Sequence, residues 1–93
     1  MSEHRSFDKI LAWIQNYGQG GIEDQKGAEN CVICETDEFI NPLRAQLHFI
    51  SKGEFDEEAL DRVIGVKRRL KYGSYENWAK LMIFWLNDAK KRA

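Results

Sequence analysis

Six apolar residues stand in a row near the C-terminus, Leu81-Met82-Ile83-Phe84-Trp85-Leu86, and few folds can absorb such a run. On a 3.6-residue period Trp78, Leu81, Met82, Trp85 and Ala89 make one face, which Ala79, Ile83 and Leu86 widen. Phe84 projects on the far side, and Glu76, Lys80 and Asn87 leave only a thin polar strip. A helix this apolar needs neighbours on more than one side. A helix over 75–90 is therefore expected at the centre of a bundle or in a subunit contact. Six residues fall far short of the roughly 20 that a membrane helix requires, so no membrane span is expected.

The remaining chain must supply those neighbours. Ninety-three residues make a single domain, 1–93, near the small end of chains that fold without staples. A hydrophobic fraction of 43% is enough for a core, and the 31% charged fraction suits an ordinary surface. A first helix is predicted over 7–17, with Ser6 as N-cap. It places Phe7, Ile10, Leu11, Ile14 and Tyr17 on one face, with Trp13 at its margin. Gly18 ends it, and Gln19-Gly20-Gly21 continues as a loop. Phosphate-cradling glycine loops follow a strand and open a helix, whereas these glycines follow a helix, so the plain reading is a cap and linker.

Residues 22–41 are the least legible. The short apolar stretch Cys31-Val32-Ile33-Cys34 sits among carboxylates and fits either a strand or a helix over 28–40. With no convincing strand elsewhere, the helix is preferred. Asn41-Pro42 has the form of an N-cap followed by proline at the first helical position, predicting a helix over 42–51 that Gly53 stops. Asp56-Glu57-Glu58 then opens a helix over 56–72, acid at its positive end. Its inner stripe is Ala59, Val63, Val66 and Leu70, flanked by Leu60 and Ile64. Arg62, Gly65, Arg68, Arg69 and Tyr72 lie opposite. Gly73 breaks the chain and Ser74 caps the last helix. The predicted class is a compact all-α domain of four or five helices.

Charge is unevenly divided. Residues 1–61 carry 5 basic and 13 acidic side chains, a balance of −8, and residues 62–93 carry 9 and 2, a balance of +7. Such polarity either steers a charged partner or is satisfied internally, one half against the other.

Three constellations bear on chemistry. Cys31 and Cys34 have C-x-x-C spacing, and His48 lies beyond them at nearly finger-like distance. A tetrahedral zinc site needs four ligands, however, and no second histidine comes after His48. A redox dithiol needs a lowered pKa, which the neighbouring carboxylates oppose. Buried thiols acting as small hydrophobes are the plain reading, and no cofactor is expected. The basic set Arg62, Lys67, Arg68, Arg69 and Lys71, with Tyr72 and the terminal Lys90, Lys91 and Arg92, is the candidate nucleic-acid surface, since cations bind phosphates and aromatics stack on bases. The predicted 42–51 and 56–72 helices even have a helix-turn-helix order. The end that would read bases nevertheless carries Asp56, Glu57, Glu58 and Asp61. Catalysis finds no nucleophile–base pairing, and an enzyme is not expected.

The leading functional expectation is a cytoplasmic, non-enzymatic regulator, inhibitor or adaptor that binds a protein. The absence of a secretory-type run after Met1 and the low cysteine use point to that compartment. Its candidate contact residues are Glu35, Asp37 and Glu38 in the acidic segment, with Trp13 and Phe84 as aromatic anchors. Pairing of two copies through Phe84 is expected, and nucleic-acid binding is the alternative.

Overall fold

The described residues form six helices, one more than the expected upper bound. The computed structural model describes residues 7–19 and 21–92. Within them α1 spans Asp8–Tyr17, α2 Asp24–Cys34, α3 Asp37–Ser51, α4 Glu57–Val63, α5 Val66–Tyr72 and α6 Tyr75–Arg92, and the described residues contain no strand. The class is all-α. None of these helices is long and apolar enough to cross a membrane.

The C-terminal helix is the element on which α2, α3 and α5 pack. Tyr75, Trp78, Ala79, Met82, Leu86 and Ala89 form its buried face, repeating at three and four residues. Helix α3 runs antiparallel along it, tied by Arg44 Nη1 to Asn87 Oδ1 at 2.6 Å and by Lys90 to Asp37. Its contribution to the core is Ile40, Leu43, Leu47 and Ile50, again one face. Helices α2 and α5 cover further sides of α6. Helix α1 packs on α2 and α3 and reaches the centre through Trp13, whose ring meets that of Trp78 edge-on at 6.3 Å. At Gly27 an added Cβ would lie 2.5 Å from the Tyr17 carbonyl oxygen, so the close approach of α1 and α2 excludes a side chain there.

Helix ends show where local signals sufficed and where a distant residue was needed. Asp56 caps α4 by accepting from the Glu58 amide at 3.3 Å, and Ser74 Oγ accepts from the Asn77 amide at 3.1 Å. Ser6 lies outside the described residues. The amides of Lys9 and Ile10 instead donate to Gln46 Oε1, at 3.1 and 3.2 Å, while Gln46 Nε2 donates to Asp8. A residue of α3 thus satisfies the start of α1.

Several expectations are corrected. The preferred helix over 28–40 does not exist as one element. Helix α2 begins earlier, at Asp24, and extended backbone at Glu35 and Thr36 separates it from α3. Asn41-Pro42 does not start a helix but lies inside α3. Proline removes one amide, the one that would donate to the Glu38 carbonyl. The acidic first turn at Asp37 and Glu38 and the continuous buried face outweigh that loss.

The predicted 56–72 helix is two helices, broken at Gly65 with φ +106°, a conformation suited to glycine. The break changes the rotational phase of residues 66–72. Leu60 and Ile64 are buried as their stripe requires, but Val66 and Leu70 point outward. In α6, Leu81 is exposed, not inward, and Trp85 is half-buried. Trp13, placed at a helix margin by its sequence position, is fully buried.

Candidate functional site

Helix α5 buries none of its residues fully, which is unusual for a helix held against a core. Its inward residues are polar: Arg68, Arg69 and Tyr72. Asp24, the first residue of α2 and only 5% exposed, is the receptor for two of them. Arg68 Nη2 donates to Asp24 Oδ1 at 2.8 Å and Nε to Oδ2 at 3.0 Å, a two-point fork of the kind arginine offers carboxylates. Tyr72 Oη and Trp78 Nε1 donate to the same Oδ2, at 3.1 and 3.0 Å. Arg68 also donates to the Gly18 and Ile64 carbonyls and lies over the Trp13 ring at 5.9 Å. One buried carboxylate thereby ties the α1 end, α2, α5 and α6 together. It stands at the first residue of α2, where the helix turns its free amides outward.

A second carboxylate, Asp61, accepts from Tyr75 Oη and from Arg69 Nε, the latter at 3.3 Å. Burial first, then the bond to Asp61, pushes the Tyr75 hydroxyl up to about 12. Burial and Asp24 raise Tyr72 in the same way, and burial and Glu35 raise Tyr17. These hydroxyls are donors to carboxylates, and their ionisation is opposed throughout.

The predicted basic surface is largely turned to the protein's own acids. Arg68 pairs with Asp24, and Arg69 with Asp61 and Glu57. Lys71 meets Glu23 at 3.6 Å, and Lys90 meets Asp37. Arg92 binds Glu29 and Asp88, at 3.0 and 3.1 Å. Arg62 donates only to the Glu58 carbonyl, while exposed Lys67 and Lys91 have no acidic partner among the described residues. The two unequal halves of the sequence neutralise one another across the fold.

Of the residues expected to meet a protein, Trp13 is unavailable, since it is buried beneath Arg68. Glu35 accepts from Tyr17 Oη at 2.7 Å, and Lys90 holds the Asp37 carboxyl below its usual range. Glu38 is exposed and has no ion-pair partner among the described residues. Phe84 stands 61% exposed on α6, with Leu81 beside it one turn back, so these two form an apolar patch on an otherwise packed helix. The patch is bordered by exposed Lys80 and Lys91.

The cysteine pair divides. Cys31 is buried, with its thiol pushed up to about 12 by burial and then by Glu35 and Cys34, whereas Cys34 is exposed. No three His, Cys, Asp or Glu side chains converge as a metal site among the described residues, so Cys31, Cys34 and His48 are not brought together as ligands. Sequence reasoning missed the Asp24 receptor and the outward turn of Val66, Leu70 and Leu81. The available signal for α5 was Gly65 inside an otherwise helical pattern, which marks a break in phase. Compared with known protein families, curated proteins and solved structures, the chain matches none.

Proposed function

We propose that this chain is a small non-enzymatic protein-binding protein, a regulator, inhibitor or adaptor of the cytosol, whose contact surface includes the outer face of α6. The observation that carries the reading is Phe84, a large apolar side chain left 61% exposed on the most heavily packed helix, with Leu81 adjoining it. Exposed contiguous apolar residues rimmed by charge mark contact surfaces. The internal pairing of Arg68, Arg69, Lys71, Lys90 and Arg92 supports a protein partner over nucleic acid, because each pair would have to be given up to hold a phosphate.

A second copy of the chain is the first partner we assign. An antiparallel two-fold pairing of α6 centred on Phe84 sets Phe84 against its counterpart and Lys80 against Asp88 of the second copy. Such self-complementarity is what a two-fold interface requires. Light scattering at high micromolar concentration should show a dimer for the wild type and a folded monomer for Phe84→Glu. A monomeric wild type overturns the assignment. Retention on a duplex-DNA matrix at physiological salt, falling steeply as salt rises, would favour the nucleic-acid alternative instead.

A further inference from the structure

Helix α5 is inside out. Its polar residues Arg68, Arg69 and Tyr72 face the globule and are consumed there by Asp24 and Asp61. Its outward arc carries Val66 and Leu70, the latter 72% exposed, alongside Lys67 and Lys71. Four residues at helical spacing thus present an apolar edge beside a basic edge. Ile22 is also exposed and, with Lys67, Lys71, Glu23 and the Arg68-bound Asp24, lines an open groove of about 520 Å³ between α5 and the segment leading into α2. Among the described residues Lys67 has no acidic partner, and Lys71 shares only a loose, exposed pair with Glu23.

We infer that the outer face of α5 and the adjoining groove dock an acidic amphipathic helix from a partner protein, its leucine-type side chains on Leu70, Val66 and Ile22 and its carboxylates on Lys67 and Lys71. The charge on this face selects the occupant: apolar contact alone would accept any hydrophobic stripe, whereas Lys67 and the loosely paired, exposed Lys71 beside it select for acid. A bilayer is the poorer fit. Stable attachment to anionic lipid needs strong apolar insertion or a larger basic cluster. The outward arc of α5 offers two lysines, Lys67 and Lys71, beside Val66 and Leu70, which is too small a basic cluster for such attachment. The inference rests on the protein-binding reading but uses a surface separate from Phe84, so each can fail alone.

The test uses the full chain and a fluorescent synthetic helix of about 18 residues, long enough to form in water. Leucines recur at three- and four-residue spacing on the probe, with glutamates on both flanks. Fluorescence anisotropy should show saturable micromolar binding. The affinity should fall by roughly tenfold or more for Leu70→Glu and for Lys67→Glu/Lys71→Glu, as for interface anchors and facing charge pairs. The double variant should in turn gain affinity for a probe whose glutamates are replaced by lysine, a rescue that unfolding could not produce. Phe84→Glu should bind the acidic probe as wild type does. The inference is overturned if wild type ignores the probe or binds a leucine-free acidic peptide equally well. Loss of probe binding in Phe84→Glu alone, or capture by phosphatidylserine-rich vesicles without peptide binding, overturns it too. A Phe84-dependent dimer that ignores the probe would leave the α6 reading standing and remove this one.

Discussion

Helices α5 and α6 are neighbours in sequence and in space, yet they are held by opposite means. Helix α6 is fixed by apolar burial: Trp78, Ala79, Met82 and Leu86 lie fully out of solvent. Helix α5 contributes no fully buried residue and is fixed by Arg68, Arg69 and Tyr72 reaching two carboxylates. Apolar packing is tolerant of detail and roughly proportional to area. A polar anchor depends on each donor and acceptor being present, because a partner left behind in the interior is costly. The two helices should therefore respond differently to small chemical changes.

Truncating the apolar anchor should have the largest effect. Trp78→Ala removes a fully buried ring and the Asp24 bond of its indole, and should cost roughly 3–5 kcal/mol. That is a large share of the ~5–15 kcal/mol typical of a domain. Chemical denaturation measures it, and the loss should appear as one cooperative transition of the whole globule. Trp85, half-buried, should cost visibly less on the same assay.

Next comes the polar anchor. Asp24→Ala deletes few atoms but strands the Arg68 fork, the Tyr72 hydroxyl and the Trp78 indole N–H, and should cost about 3 kcal/mol. The signature that separates it from Trp78→Ala is local. Amide hydrogen exchange should show α5 losing protection before α3 and α6. A stability loss below about 1 kcal/mol, with α5 still protected, would mean that α5 is held by something other than this carboxylate.

The mildest perturbation is alkali, which acts on hydroxyls and leaves the sequence unchanged. An unfolded tyrosine ionises near pH 10, whereas burial and Asp61 hold folded Tyr75 up to about 12. Tyr72 and Tyr17 are shifted in the same direction. Below pH 10 the stabilisation is complete. Above it the unfolded chain alone gives up its protons, so stability declines and is lost as pH passes the folded values. Tyrosinate absorbance and circular dichroism should therefore change together, well above pH 10. Ionisation near pH 10 with helicity intact would show that the hydroxyls are not held by their carboxylates.

The same contrast explains what could be read from the sequence. Helix α6 was legible as a helix because a long apolar run with regular period supports one, and Ser74 and Gly73 mark its start, although Leu81 proved exposed. The all-helical class came with it. Helix α5 was not legible, because its inward face carries arginines and a tyrosine whose partners lie as many as 50 residues away. Periodicity sees hydrophobicity, and here the hydrophobic residues face out. The Asn41-Pro42 pair misled for a related reason. A local start signal competed with the buried face of Ile40, Leu43, Leu47 and Ile50, and the tertiary term won. The expected contact residues fared unevenly: the exposure of Phe84 was readable from its place on the wheel. The burial of Trp13 depends on Arg68 and Gly27, which no local pattern connects to it.

The ion pairs that close the fold also bear on the chain before it folds. Asp24–Arg68, Asp37–Lys90 and Glu29–Arg92 each join the acid-rich first part of the sequence to the base-rich last part. An unfolded chain of this composition is a polyampholyte with segregated blocks, and its blocks attract one another at low ionic strength. The denatured ensemble is then already contracted, with the C-terminal segment drawn toward the residues it will finally meet. Salt relaxes that contraction as it weakens the native pairs. Added salt therefore expands the starting state and loosens the finished one, so equilibrium stability registers only the difference between two larger effects.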